Sequence, residues 1–324
     1  MVRRFGWPHH ERGDRGAADC RTPGEDWIRD AAQRGGLMGR RWLVTGCSSG
    51  LGRALAEAAA AAGHQVAVTA RSTAGLEETV IRYPGQIVPI PLELRDAVQC
   101  EEAVRQAIAC LGGIDVLVNN AGAGLFGTTE EVSDDEIRDQ METLLIGPWR
   151  LIRLVLPGMR AQGHGHIVNV SSLAGRMAFP GLSAYVAGKF ALEGMSQALA
   201  AEVTALGIRV TVVEPGGFAT RYGASLTRSA RRMPEYAAAT AGLLDGLRGM
   251  ADDAAMGRSE DFAARVLALV ASPDATPLRV PVGEDAFLYL EAVEQAARDE
   301  LAAARLLTSA APPPGVEGVA HDPV

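Results

Sequence analysis

The sequence predicts an α/β protein built on one parallel sheet of about seven strands, with helices on both faces. Three observations predict it. Short apolar runs recur along the chain, each separated from the next by a segment of helical periodicity. Several runs are apolar throughout, as strands covered on both faces require. A glycine-rich turn joins the first run to the first helical segment.

The first strand, from Arg41, reads RWLVT; the turn GCSSGLG follows, then the helix RALAEAAAAAG, which stops at Gly63. HQVAVTA is the second strand, QIVPIPL the third, IDVLVNNAG the fourth, HIVNVSS the fifth and IRVTVVEPG the sixth. PLRVPVG, from Pro277, makes the seventh. Helices between them include DAVQCEEAVRQAIACLG and DEIRDQMETLLIGPWRLIRLVLPGM, and a last one spans about Glu284 to Leu307. No repeat or linker interrupts this order. Residues 39–307 therefore read as one doubly wound, Rossmann-type domain with a lid over about 218–257. Residues 1–38, rich in Arg, Gly, Asp and Pro without apolar periodicity, read as a flexible extension, and 308–324 as a disordered tail. Met38 stands just before the first strand, so translation is expected to begin there. Mass spectrometry finding Met1 or Val2 at the native terminus would remove that expectation.

Composition narrows the function. A net charge of −8 and the lack of a basic patch with interleaved aromatics argue against nucleic acid as a partner. No apolar run is long enough to span a bilayer. Cys20, Cys47, Cys100 and Cys110 lack metal or redox spacing and read as reduced thiols of a cytoplasmic protein. The pairs His9-His10 and His164/His166 lack the helical context or carboxylates of a metal site, so no metal is expected.

The turn LVTGCSSGLGRAL places Gly46, Gly50 and Gly52 between strand and helix. Such glycines let the backbone approach a pyrophosphate that rests on the helix N-terminus, so Gly46, Ser48, Ser49, Gly50, Leu51 and Gly52 are candidate dinucleotide contacts. An acid at the end of the second strand would accept the 2′-hydroxyl of NAD; here the strand ends in Ala70-Arg71-Ser72. An arginine there pairs with the 2′-phosphate of NADP, so NADP is expected over NAD, although an exposed Arg71 is also ordinary in an Arg-rich chain.

TGCSSGLG, NNAG (119–122), the serine after the fifth strand, YVAGK and PGGFAT, in this order from about Arg41 to Gly283, resemble the short-chain dehydrogenase/reductase family. The overall look is similar to its retinol- and steroid-dehydrogenase-like group. The resemblance implies Tyr185 as general acid/base, Lys189 as its partner and Ser172 as the carbonyl-binding residue. Ser171 is adjacent, and the family's thirteen-residue spacing to the tyrosine selects Ser172. It further implies Asn120, Ala121 and Gly122 near the adenine ribose, Glu93 and Leu94 near the adenine, and Pro215, Gly216, Phe218 and Thr220 along the nicotinamide. Glu93 stands where the family usually has aspartate.

The chemistry of the residues agrees. A phenol with pKa near 10 is a poor base at neutral pH. An ammonium four residues on shares its helix face, favours the phenolate and can reach ribose hydroxyls. Lys189 is the single lysine among 31 basic residues, which fits a place where arginine cannot serve. Asn169-Val170-Ser171 matches a glycosylation acceptor but falls on a strand expected in the core.

Two positions depart from the family. Leu144 stands where the family commonly has an asparagine that helps hold a water linking the lysine to solvent. Gly188 stands where serine often precedes the lysine, a change expected to face away from the reaction. Leucine offers no donor or acceptor, so a slowed proton-transfer step is expected, and Leu144→Asn should change the rate and its pH profile. Met177 and Phe179, with Tyr222, Leu226, Met233 and Tyr236 of the lid, are candidate lining for a hydrophobic ketone, aldehyde or alcohol, or else ordinary lid packing. Apolar faces on the helices before the fifth strand and around Tyr185, with the resemblance, imply a homodimer or homotetramer. The leading expectation is an NADP(H)-dependent oxidoreductase; the alternative is a non-catalytic NADP(H)-binding sensor in which Leu144 marks a decayed relay.

Overall fold

Strand β1 (Arg41–Val44) forms where three successive side chains, Trp42, Leu43 and Val44, can all be buried, which only a strand covered on both faces allows. A computed structural model of the chain describes residues 39–220, 222–253, 255–273 and 276–309. The expected N-terminal extension and the tail beyond residue 309 lie outside the described residues, as does the Met38 expectation.

Helix α1 (Gly50–Ala61), β2 (Gln65–Ala70), the short α2 (Glu77–Arg82), β3 (Ile87–Pro91), α3 (Ala97–Leu111) and β4 (Val116–Asn119) complete the first half. Asp96 starts α3 by accepting hydrogen bonds from the N–H groups of Val98 and Gln99 at 2.9 and 3.2 Å. The second half runs through β5 (Leu125–Phe126), α4 (Asp134–Met141), α5 (Gly147–Gln162), β6 (Gly165–Val170), α6 (Ser183–Val203) and β7 (Ile208–Pro215). There follow α7 (Tyr222–Ser225), β8 (Thr227–Arg228), α8 (Ala237–Thr240), α9 (Leu243–Gly249), α10 (Ser259–Ala271), β9 (Arg279–Val282) and α11 (Glu284–Ser309).

All seven expected strands join one parallel sheet in the order β3-β2-β1-β4-β6-β7-β9. Leu55 and Ala59 of α1 pack with Phe262 and Val266 of α10 over one face. Val104 of α3, Leu151 and Met159 of α5 and Leu199 of α6 cover the other, so the sheet is doubly wound. Strand order reverses between β1 and β4, and the carboxyl ends of these strands open a crevice there.

Three details differ from the sequence reading. The long helical segment before β6 is α4 and α5 joined by one π-helical turn, Glu142–Ile146. The last helix extends to Ser309. Strands β5 and β8 pair in a small second sheet over two residues each, too short to leave a periodic signal. No helix among the described residues is long and apolar enough to cross a membrane.

Candidate active site

The crevice holds a cavity of about 860 Å³. Its walls carry Gly46, Ser48, Ser49, Gly50, Leu51 and Gly52 from the first turn, Arg71, Glu93 and Leu94, and Asn120, Ala121 and Gly122. Pro215, Gly216, Phe218 and Thr220 enter after β7, and Ser172, Tyr185 and Lys189 face the same space. The fold thus brings together every candidate cofactor contact and catalytic residue named from the sequence.

The loop before α1 fits a dinucleotide. Gly50 has φ +61°, a backbone that side chains disfavour. A Cβ on Gly52 would strike the Asn120 amide and the Gly46 carbonyl, so the turn closes only on glycine. Ser49 makes no side-chain cap, leaving the first N–H groups of α1 free to receive phosphate oxygens. Across the crevice, Thr45 Oγ1 accepts the N–H groups of Asn120 and Ala121, both at 3.0 Å, which fixes the 119–122 segment beside the loop.

Arg71 is exposed on the cavity wall and forms no ion pair with another described residue. Glu93 also lines the cavity, but Arg95 holds its carboxylate through bonds of 3.2 and 3.1 Å. Burial pushes the Glu93 carboxyl up, and the Arg95 hydrogen bonds outweigh that, so it lies below its ordinary value.

Ser172 ends the β6 turn, its Oγ accepting from the Ala174 N–H at 3.1 Å. Tyr185 and Lys189 lie one turn apart on α6, both buried, and Lys189 Nζ donates to the Val170 carbonyl at 2.8 Å. Burial drives the ammonium down to about 8, with Glu193 opposing the shift. The sequence argument has Lys189 lowering the Tyr185 pKa. In the structure burial is the larger influence and the phenol lies above its ordinary value, although the nearby hydroxyls of Tyr222 and Ser172 pull it back in part. Nζ stands 5.8 Å from the Tyr185 ring centroid.

Leu144 sits in the π turn, 1% exposed. A Cβ on Gly188 would lie 2.8 Å from Leu144 Cδ1, and one on Gly122 would lie 3.2 Å from Cδ2 and 3.8 Å from Lys189 Nζ. Gly188 thus faces Leu144: the missing side chain at one departure makes room for the larger one at the other.

The lid reading divides. Phe179 and Tyr222 line the cavity. Met177 instead packs with Leu173, Ala286 and Leu290 beneath α11, and Leu226 lies behind the wall with Phe126 and Leu244. Met233 and Tyr236 are anchored away from it: the Met233 N–H donates to Glu131 at 2.8 Å and the Tyr236 hydroxyl to Glu130 at 2.7 Å. Leu243, Leu247 and Met250 line the cavity in their place, with no mark in the sequence beyond lying within the lid range. The Tyr222 ring centroid is 5.6 Å from that of Tyr185, and its hydroxyl is shielded from solvent without a well-formed hydrogen bond among the described residues. Asn169, of the formal glycosylation triplet, is fully buried and bridges Asn119 and Ser196 at 2.8 Å each.

Residues 40–231 match the sequence model of the short chain dehydrogenase family, and the chain belongs to it. It is an NAD(P)-dependent oxidoreductase. Oxidoreductase BOA17 of Botryotinia fuckeliana is 37% identical over 253 residues, 78% of this chain and 92% of that protein. Human retinol dehydrogenase 8 is 38% identical over 192 residues, 58% of this chain and 61% of that protein. Among solved structures, a short-chain dehydrogenase from Streptomyces avermitilis superposes with TM-score 0.74 at 38% identity, covering 84% of this chain and 98% of that one.

Proposed function

We propose that this oxidoreductase uses NADP(H) to interconvert a hydrophobic ketone or aldehyde with its alcohol, with Tyr185 as general acid/base. The observation that carries the reading is the meeting of Ser172, Tyr185 and Lys189 in one cavity with the glycine loop. When bound, the nicotinamide cofactor supplies or takes up the hydride. Ser172 Oγ donates to the carbonyl oxygen and fixes its position. Tyr185 gives that oxygen a proton in reduction and takes one back in oxidation. Lys189, held against the Val170 carbonyl, returns the proton to the phenolate and offers its remaining N–H groups to the ribose. Arg71 supports NADP, because a fork of donors on the cavity wall suits a 2′-phosphate; a related metagenomic oxidoreductase, 28% identical, was solved in complex with NADP. Phe179, Leu182, Leu243, Leu247 and Met250 support an apolar substrate. Trp149 and Phe190, exposed on α5 and α6, support a homodimer or homotetramer.

A second reading, a cofactor-binding sensor, rests on Leu144, which removes a hydrogen-bonding side chain beside Lys189. Following NADPH and NADH absorbance over a panel of ketones and aldehydes decides between them. Turnover lost in Tyr185→Phe is expected; turnover that survives it overturns the mechanism, and cofactor binding without any turnover favours the sensor. Arg71→Ala should weaken NADPH binding about ten-fold or more while sparing NADH.

A further inference from the structure

Two carboxylates of the elements that carry and flank Lys189, α6 and β7, are buried without full partnership. Glu193 lies one turn beyond Lys189 on α6 and is 4% exposed; Glu214, near the end of β7, is fully buried. Each touches one arginine. Arg279 of β9 donates to Glu193 Oε2 at 2.9 Å, and Arg176 donates to Glu214 Oε1 at 3.1 Å while also reaching Glu294 of α11 at 3.3 Å. Glu193 Oε1, Glu214 Oε2 and the nearby Ser171 Oγ have no hydrogen-bond partner among the described residues. Gly175 keeps open the space between two of them. A Cβ there would run into Ser171 Oγ and lie 3.1 Å from Glu193 Oε1.

A buried bare carboxylate oxygen is costly, and two of opposite residues facing one charged neighbourhood are costlier still. One proton held between them lets one carboxyl donate to the other, directly or through a water that Ser171 also holds, and so satisfies both. We propose that Glu193 and Glu214 form a proton-sharing carboxyl pair that recharges Lys189 and exchanges protons with solvent at the Arg176–Glu294 rim. The inference rests on the proposed role of Tyr185 as general acid/base. In reduction Tyr185 gives its proton to the substrate oxygen, and the Lys189 ammonium reprotonates the phenolate. The resulting amine takes the proton of the pair, which then regains one from solvent; oxidation runs the sequence backwards. The charged or titratable groups facing the pair are Lys189 on its own helix, Arg279 from β9 and Arg176 after β6, with Glu294 of α11 behind Arg176. Burial, and then the negative charge of Glu193, push the Glu214 carboxyl above its ordinary value, against the pull of Arg176 and Arg279.

Infrared spectroscopy of the whole protein tests the pair without turnover. A protonated-carboxyl C=O band at neutral pH is expected in the wild type and should disappear in Glu193→Gln or Glu214→Gln. No such band in the wild type overturns the proposal. For the relay, folded Glu193→Gln should bind NADPH as the wild type does, yet turn over roughly ten-fold slower or worse, with a larger solvent isotope effect and an altered pH profile. A band that disappears on substitution with turnover, isotope effect and pH profile unchanged overturns the relay. Should either glutamine variant fail to fold, Gly175→Ala, which closes the gap between Ser171 and Glu193, is expected to raise the solvent isotope effect in the same direction; no change overturns the relay. Turnover persisting in Tyr185→Phe would remove Tyr185 as the acid/base, and with it the relay through Lys189, and leave the infrared result standing.

Discussion

Lys189 stands between two unlike surroundings. Toward the π turn it meets Leu144, with Gly122 and Gly188 close by, and none of these three residues has a side chain that can donate or accept. Toward β6 and β7 it meets the Val170 carbonyl, with Ser171, Glu193 and Glu214 beyond. The difference teaches where proton traffic can go. A buried ammonium needs acceptors, and every acceptor contributed by these side chains lies on one side. The apolar side fixes position by packing; the polar side keeps the charge, since burial lowers Lys189 to about 8 while Glu193 opposes the fall.

The largest break in that comparison is Lys189→Arg. A guanidinium needs several acceptors in its plane, and the side chains of Leu144, Gly122 and Gly188 offer none. We expect turnover to fall about 100-fold or more, measured as cofactor oxidation under saturating substrate. A loss under about three-fold would mean that the lone lysine is replaceable, whatever its rarity in the chain. Next in size is the pH dependence of stability. The folded-state pKa of Lys189 lies near 8, below the ordinary 10.5, so its burial costs stability in full below about 8. That cost fades as pH rises toward 10.5, where the unfolded state also loses its proton. Lys189→Met should therefore be the more stable form at neutral pH by at most a few kcal/mol, with its advantage shrinking as the medium turns alkaline. Denaturant titrations across that range check the sign; an advantage that grows with pH would contradict it.

The two sides of Lys189 were not equally legible. Gly50 and Gly52 are readable because a left-handed turn and a close approach each demand glycine, whatever surrounds them. Ser172, Tyr185 and Lys189 are readable because their chemistry and spacing are local to one turn and one helix. The sequence also marks Leu144 and Gly188 as departures, yet not that they touch, because 44 residues separate them and only the packing of α6 on the π turn brings them together. Glu193 and Glu214 look like an ordinary helix acid and strand acid until the fold buries both. Met177 and Phe179 sit two residues apart on a loop without periodicity, and both pack under α11, so nothing local tells that only Phe179 also reaches the cavity. The approach of Tyr222 to Tyr185 depends on Gly124, where a Cβ would stand 2.5 Å from the Tyr222 hydroxyl.

The smallest expected effect sharpens the comparison most. Gly188→Ser puts a Cβ 2.8 Å from Leu144 Cδ1 and 3.0 Å from its Cβ, inside a fully packed contact. It should destabilise by about 1–3 kcal/mol through overpacking, despite the better helix propensity of serine. Leu144→Asn alone loses buried apolar area and places an amide against Gly122 and Gly188, at a cost of about 2–4 kcal/mol. Together the two changes relieve each other, since the shorter asparagine clears the serine and can bond to it. The double variant should then be more stable than the sum of its parts by about 0.5–3 kcal/mol in denaturant titration. It should also gain a polar route on the Leu144 side of Lys189, seen as an altered pH profile and a smaller solvent isotope effect on turnover. Additive stabilities would mean that the two positions do not share one space. An unchanged pH profile and isotope effect would mean that proton transfer through Lys189 does not depend on which side of it is polar.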